Sequence, residues 1–295
     1  MSEGPEGASP GAASEGPGGP APGDGPELVL RPWRSFSLGE LAELWTYREL
    51  LGVLAWRDVS VRYKQATLGV LWALLQPALQ TALFTVLFHR IAGLRSETGE
   101  PFAPFVLSGL LLWNVFSGGL THASDSLVRN VGLLSKVYFP RLILPLASLL
   151  VPLVDLLAAL GLLLAVLAYH GLVGPGALLA LPLALLAALA AAGPGLALAA
   201  LNAEYRDVRH VLPFAQQLLL YGAPVFYPRS AVPEGLRGYL DLNPMVPVID
   251  AFRAALFGGP FEPRRLALAA AEILLLLALG YGYFRRVERT LADRL

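Results

Sequence analysis

The 295-residue chain holds 22 basic and 22 acidic residues, yet only 15% of it is charged against 55% hydrophobic, with a mean hydropathy of +0.58. Soluble domains devote about a quarter of their residues to charge, so this balance points to a polytopic membrane protein and away from nucleic acid as a partner. The absence of cysteine excludes disulfides, iron–sulfur ligation and cysteine–zinc sites.

Residues 1–26 are almost wholly Gly, Pro, Ala, Ser and acids, without one Lys or Arg. Such a segment buries too little apolar surface to offset the entropy of ordering, and a secretory leader would need a basic start and an apolar stretch. A disordered tail is expected over 1–30, an amphipathic interface segment over 31–67 and a membrane domain over 68–295. Within the second, Tyr47, Leu50, Leu51, Leu54 and Val61 share one helical face, while Arg48, Glu49, Arg57, Arg62 and Lys64 surround it. Tyr63 falls within the same helix, and Asp58 interrupts its apolar stripe. A membrane-surface anchor and a moving gate both fit this pattern.

Six spans are expected, at about 68–89, 104–121, 142–169, 177–201, 212–227 and 266–284. Each approaches the ~20 residues that cross a hydrocarbon core of ~30 Å. Between Arg141 and Glu204 the one Asp, Glu, Lys or Arg is Asp155, so that block reads as two spans joined by a turn at 170–176. The fifth span, bracketed by Pro213 and Pro224 and holding Gln216 and Gln217, should face protein or a cavity. Lys and Arg concentrate before span one, between spans two and three, after span four and after span six, which places both termini in the cytoplasm. Arg229, Arg237, Arg253, Arg264 and Arg265 in one outer loop weaken the asymmetry without reversing it.

No GxxxxGK[ST] loop is present, so any nucleotide must be bound by another subunit. His89, His122, His170 and His210 lack ligand spacing and sit at span ends or in loops, as structural or interfacial residues do. The connection 121–141 mixes an i,i+4 pair, Asp125 and Arg129, with Leu127, Val131, Leu133 and Leu134, and reads as a short helical hairpin with a docking surface. A solvated loop is the alternative. Asp155 and Glu272 are too isolated for a proton relay; Asp155 is expected to pair with a neighbouring helix, and Glu272 to reach the interface. In span four, Ala188, Ala192 and Ala200, and again Ala191, Gly195 and Ala199, permit close helix packing.

On the outer side, Asn243 and Pro244 open a helix that Gly258, Gly259 and Pro260 stop, with Met245, Val248, Ile249, Phe252 and Leu256 on one face and Asp250 and Arg253 on the other. With a partner segment at 233–240 it would close the outer mouth of a conduit; plain interfacial packing is the alternative. Trp72, Trp113, Phe116, Tyr221, Phe226 and Tyr227 lie in or beside spans, where they would either anchor the interface or offer flat faces to sugar rings along a path.

Three stretches in order, VRYKQATLGVLWALLQPALQTALFTVLF, LLSKVYFPRLILPLASLL and LNAEYRDVRHVLPFAQQLLLYGAPVFYP, resemble the membrane subunit of bacterial ABC-2-type exporters of O-antigen, capsule and teichoic acid. The resemblance runs from about Trp45 to the C-terminus and does not specify the glycan. It implies an all-α homodimer of six-span subunits in the cytoplasmic (inner) membrane, working among membrane lipids and moving a lipid-linked glycan. A separate ATP-binding subunit would hold ATP and Mg, and this chain would hold no cofactor or metal and catalyse nothing. The interface helix would be 47–64, the ATPase-coupling segment Asp125, Leu127, Arg129, Leu133, Leu134 and Lys136, and the outer gate 233–240 with 244–257. The EYRDV stretch at 204–208 would be a charge cluster that also touches the ATPase. An ABC-2 exporter of a drug or lipid would share the architecture; a secondary transporter or a membrane transferase would need inverted repeats or a catalytic constellation, and neither is visible.

Overall fold

The computed structural model describes residues 44–64, 71–96 and 99–291, and the described residues are helical with no strand. The expected tail at 1–30 lies outside them. The helices are α1 (Arg48–Lys64), α2 (Leu71–Phe84), α3 (Phe102–Arg129), α4 (Val131–Leu134), α5 (Ile143–Leu149), α6 (Val151–Tyr169), α7 (Ala180–Glu204), α8 (Val208–Gly222), α9 (Glu234–Leu240), α10 (Met245–Phe257) and α11 (Pro263–Leu291). Among the described residues, five segments are long and apolar enough to cross a membrane: Leu71–Ile91, Phe102–Arg129, Ile143–Tyr169, Pro175–Glu204 and Pro263–Glu288.

The sequence predicts a sixth, at 212–227, where the structure instead has the 15-residue α8. At ~1.5 Å per residue α8 is ~22 Å long, short of a hydrocarbon core. It stops because Pro224 forces the residue before it out of the helical region, and Ala223 is extended at φ −108°, ψ 142°. The chain then runs on as a buried strap through Ala223, Pro224, Val225 and Phe226. α2 is irregular too: Pro77 removes one backbone donor, and the helix widens to a π-helix over Thr85–Ile91.

Helix α3 forms the centre. Its apolar side chains join those of α6, α7, α10 and the strap in one large cluster. A second cluster at the other end gathers Leu54 and Ala55 of α1, Leu127 at the end of α3, Ile143, Leu144 and Ala147 of α5, and Phe284 and Val287 of α11. Between spans, lipid gives no hydrophobic drive, so close packing of small residues holds helices together. A Cβ on Gly119 of α3 would sit 2.8 Å from the Ala191 Cβ of α7, and one on Gly195 would sit 2.9 Å from that of Ala123. Gly193 of α7 and Gly280 of α11 touch backbone to backbone, leaving no room for a Cβ on either.

Helix α10 departs from the amphipathic pattern. Met245, Val246, Val248, Ile249 and Phe252 are all fully buried, so it is inserted among α3, α7 and α11 rather than laid on a surface. Its limits are those the sequence marks: the Asn243 side chain accepts the Met245 N–H at 3.1 Å, and Gly258 ends it at φ 75°.

Candidate functional site

At the α1 end, the apolar stripe of α1 packs into the second cluster through Leu54, with Tyr47, Leu50 and Leu51 half-covered, whereas Val61 points away and is exposed. Polar contacts fasten the helix further along. Arg57 pairs with Asp58 at 2.7 Å and donates at 2.8 Å to Asn130 Oδ1, and Asn130 donates in turn to the Ser126 carbonyl at 2.8 Å. Arg62 reaches Asp155 of α6 at 2.9 Å and Nε2 of His122 at 3.0 Å, and the Tyr63 hydroxyl donates to the same carboxylate. Burial, that hydrogen bond and the Asp155 charge push the Tyr63 phenol up to about 12, against an opposing effect of Arg62. Asp155 thus meets a neighbouring helix, and the neighbour is α1. Lys64 is exposed at its end.

The 121–141 connection lies beside α1. Asp125 and Arg129 form their i,i+4 pair at 2.8 Å, and Asn202 at the end of α7 donates to the Ser124 carbonyl at 3.0 Å, so α3 and α7 are tied at their shared end. Leu127 is buried, and Leu133 and Leu134 are half-buried against the second cluster. The apolar groups this segment presents outward are Val128, Val131, Val137 and Tyr138, the last 73% exposed, next to Lys136. A concave surface formed by Ser135, Lys136, Val137, Tyr138 and Arg141 lies there. Val137 and Tyr138 escaped the sequence reading because they follow the short turn of α4, where helical spacing no longer applies; a Tyr between a Lys and a Phe-Pro step was the available signal.

At the opposite end a ring of charges joins four pieces of chain. Arg229, before α9, lies 2.7 Å from Asp241 and 3.5 Å from Asp250; Arg265 of α11 lies 2.7 Å and 3.0 Å from the same two carboxylates. Beneath it Arg253 of α10 is buried, donating to the carbonyls of Pro224 at 2.7 Å, Val225 at 2.6 Å and Phe105 at 3.1 Å, with its guanidinium 3.6 Å from the centre of the Phe105 ring. It therefore satisfies carbonyls of the strap that follows α8 and ties the strap to α3. Gly109 makes this possible, since a Cβ there would lie 2.5 Å from the Val225 oxygen and 2.6 Å from Nη2 of Arg253.

The six aromatic candidates separate. Trp113 and Phe116 are buried in the core as a tilted pair 5.5 Å apart. Phe226 is buried too, stacked 4.7 Å from both Phe84 at the end of α2 and Phe88 of the π-helix that continues it, and flanked by Tyr221 and Tyr227. Trp72 and Tyr221 are exposed. Among the described residues no group of three or more His, Asp or Glu could hold a metal ion.

Residues 49–257 match the ABC-2 type transporter family. The O-antigen export system permease protein RfbA of Myxococcus xanthus is 31% identical over 251 residues, which cover 83% of this chain and 95% of that protein. The polysialic acid transport protein KpsM of Escherichia coli is 25% identical, covering 80% and 92% of the two chains. The capsule polysaccharide export inner-membrane protein CtrC of Neisseria meningitidis is 27% identical, covering 81% and 92%. With five segments among the described residues long and apolar enough to cross a membrane, α3 central among them, and a family match over most of its length, the chain belongs to the ABC-2 type transporter family.

Proposed function

We propose that this chain is the permease subunit of an ATP-driven exporter that carries a lipid-linked polysaccharide outward across the cytoplasmic membrane. It works as a homodimer, each copy docked on a separate ATP-binding subunit that supplies ATP and Mg. The observation that carries this reading is the match to the O-antigen permease over 95% of that protein's length.

The geometry supports the parts. Arg48, Arg57, Arg62, Lys64, Arg129, Lys136 and Arg141 gather at the α1 end, which by the positive-inside preference is the cytoplasmic one. There Val131, Lys136, Val137 and Tyr138 offer an apolar and basic surface to the ATPase, while Asp125, Arg129 and the half-buried Leu133 and Leu134 hold the segment in shape. Coupling requires a contact that differs between two states, and α1 is poised to carry it, fastened to the base of this segment by Arg57 and to α6 by Arg62 and Tyr63. α8 and the strap count as the sixth crossing, and α9 with α10 as the outer gate. Thinly covered apolar faces support pairing of two copies, with Leu79 and Leu83 on α2 and Val211, Phe214 and Leu218 on α8.

Deletion of the gene should remove the surface polysaccharide and leave lipid-linked glycan inside, and the full chain supplied in trans should restore export. A deletion strain with unchanged surface polysaccharide would overturn the reading.

A further inference from the structure

Helix α3 is covered along nearly its whole length, and the gap in its cover is chemically uniform. From Pro104 to Leu127 the residues that are not buried are Asn114, Ser117, Gly118, Thr121, His122 and Asp125. Their spacing alternates between three residues and one, which is a single stripe down one side of a helix, about 16 Å long. No apolar side chain is among them. On α6 and α11 the uncovered faces are oily, as with Leu157 of α6 and Leu268, Leu275 and Leu279 of α11. A stripe facing hydrocarbon would be oily too, whereas polar groups at membrane depth face water or a substrate path.

The neighbours of the stripe extend the same chemistry. Asn114 donates to Gln80 of α2 at 3.3 Å; Gln216 of α8 donates to the Ser117 carbonyl at 2.8 Å and lies 3.1 Å from Thr121 Oγ1. Gln76 of α2 is exposed toward a cavity of about 230 Å³ that it shares with Asn114, Ser117, Thr121 and His122. The charged groups cluster at the α1 end of this cavity, where Arg62 already donates to both Asp155 and His122. Deeper in, the polar groups are amides and hydroxyls without charge, set among apolar side chains such as Trp72, Leu111, Val115 and Leu156. On the far side the groove is closed, because residues 104–113 of α3 are buried near the strap, the Arg253 guanidinium and the Phe84–Phe226–Phe88 stack.

We propose that Asn114, Ser117, Gly118 and Thr121, with Gln76 and Gln216 beside them, form a wet, uncharged groove within the membrane layer whose walls contact the hydroxyls of the exported glycan. This rests on the export reading above and identifies its substrate-contacting wall. Amides and hydroxyls both donate and accept, which matches sugar hydroxyls in any orientation. Each such bond is modest because it replaces one to water, so sugar units pass along the wall without being trapped. An anionic ligand is a poor fit, since Arg62 is already engaged at the mouth.

The chain has no cysteine, so single introduced thiols report only themselves. In membrane vesicles holding the full chain with its ATP-binding partner, a charged, membrane-impermeant maleimide should modify Gln76→Cys and Thr121→Cys at least ~10-fold faster than the oily-face controls Leu157→Cys and Leu275→Cys, because the reactive thiolate needs water. In cells, Gln76→Leu and Gln216→Leu should lower polysaccharide export severalfold at unchanged protein level, and Leu157→Ala should not. Modification no faster than the controls overturns the groove. Fast modification with normal export by both leucine variants overturns the glycan contact. Failure of the export reading would appear separately, as a gene deletion that leaves surface polysaccharide intact while the modification pattern persists.

Discussion

Arg253 ties the strap to α3 and α10, and Arg253→Met measures how much that tie is worth. Methionine keeps the length and some of the contact with Phe105 but removes donors to the carbonyls of Pro224, Val225 and Phe105. A hydrogen bond to a charged group contributes about 1.5–3 kcal/mol, and a desolvated cation over an aromatic ring about 2 kcal/mol. These do not simply add, because the variant also escapes the cost of burying a guanidinium, leaving a net loss of about 2–4 kcal/mol. At ~2–4 °C per kcal/mol for a chain of this size, the apparent melting temperature in detergent should fall by roughly 5–15 °C. Thermal aggregation of the full chain, followed by size-exclusion chromatography, reads the shift. Arg253→Lys should fall in between, since a single ammonium cannot span three carbonyls and the ring together. Arg129→Met, which breaks an exposed pair of about 0–1 kcal/mol, serves as the control. If Arg253→Met melts within about 2 °C of the parent, the strap is held by something else and the reasoning fails.

Gly280→Leu should separate α7 from α11 at the Gly193 contact and cost about 1–3 kcal/mol, seen as lower yield of monodisperse protein, while Gly282→Leu, whose Cβ meets open space, should be tolerated. Arg62→Asp and Asp155→Arg should each loosen α1, raising protease cleavage near residue 64, and the double exchange should restore protection; a double variant cleaved like the singles would argue against the ion pair. Tyr63, with its phenol pushed from 10.0 up to about 12, is protonated at every pH where the protein is handled. Its stabilising effect is complete below pH 10 and falls away between pH 10 and about 12, so Tyr63→Phe, which loses the bond to Asp155, should lower stability at pH 7 and flatten the alkaline loss in that window. Val137→Asp combined with Tyr138→Asp, both exposed, should leave folding intact and abolish copurification with the ATP-binding subunit; undiminished copurification would move the docking surface elsewhere.

Much of the architecture is written locally and can be read without coordinates. Long uncharged runs bounded by Arg and Lys mark the crossing segments, Asn243 and Gly258 mark the ends of α10, and the i,i+4 spacing of Asp125 and Arg129 predicts their ion pair. What could not be read depends on which helices are neighbours. Asp155 needed a partner, but nothing in its own run says that α1 supplies two, Arg62 and Tyr63. Gly193 and Gly280 stand in separate helices and reveal their contact only once those helices cross. The one-sided apolar face of α10 fits a re-entrant or a membrane-surface helix, and nothing in it tells that a helix buried on nearly every side can still carry Asp250 and Arg253, provided each meets a specific partner. Trp113 and Phe116, read either as interface anchors or as aromatics along a path, pack in the core into which α10 is inserted, a placement that depends on neighbours. The EYRDV stretch at 204–208 coincides with the junction of α7 and α8, where charge at a helix break needs no further function to account for it.

Lipid cannot press one span against another by the hydrophobic effect, and this explains where the arginines are spent. Between spans the joints are made by small residues in van der Waals contact, at Gly119 with Ala191 and Gly193 with Gly280. Other pieces have no such long contact line: α1, the strap and the loop around α9 are short or irregular, with backbone or side-chain polar groups to satisfy. Each is held by guanidinium groups, which stay charged and present several donors in fixed directions. Arg57 and Arg62 hold α1, Arg253 holds the strap, and Arg229 with Arg265 holds the loop around α9. The Arg229–Arg265 ring and the α1 ties lie at the margins, where water can replace a broken bond. The Arg253 contacts lie inside, where it cannot. A transport cycle that moves α1 and the outer loop while keeping the strap in place therefore breaks only the bonds that solvent can compensate.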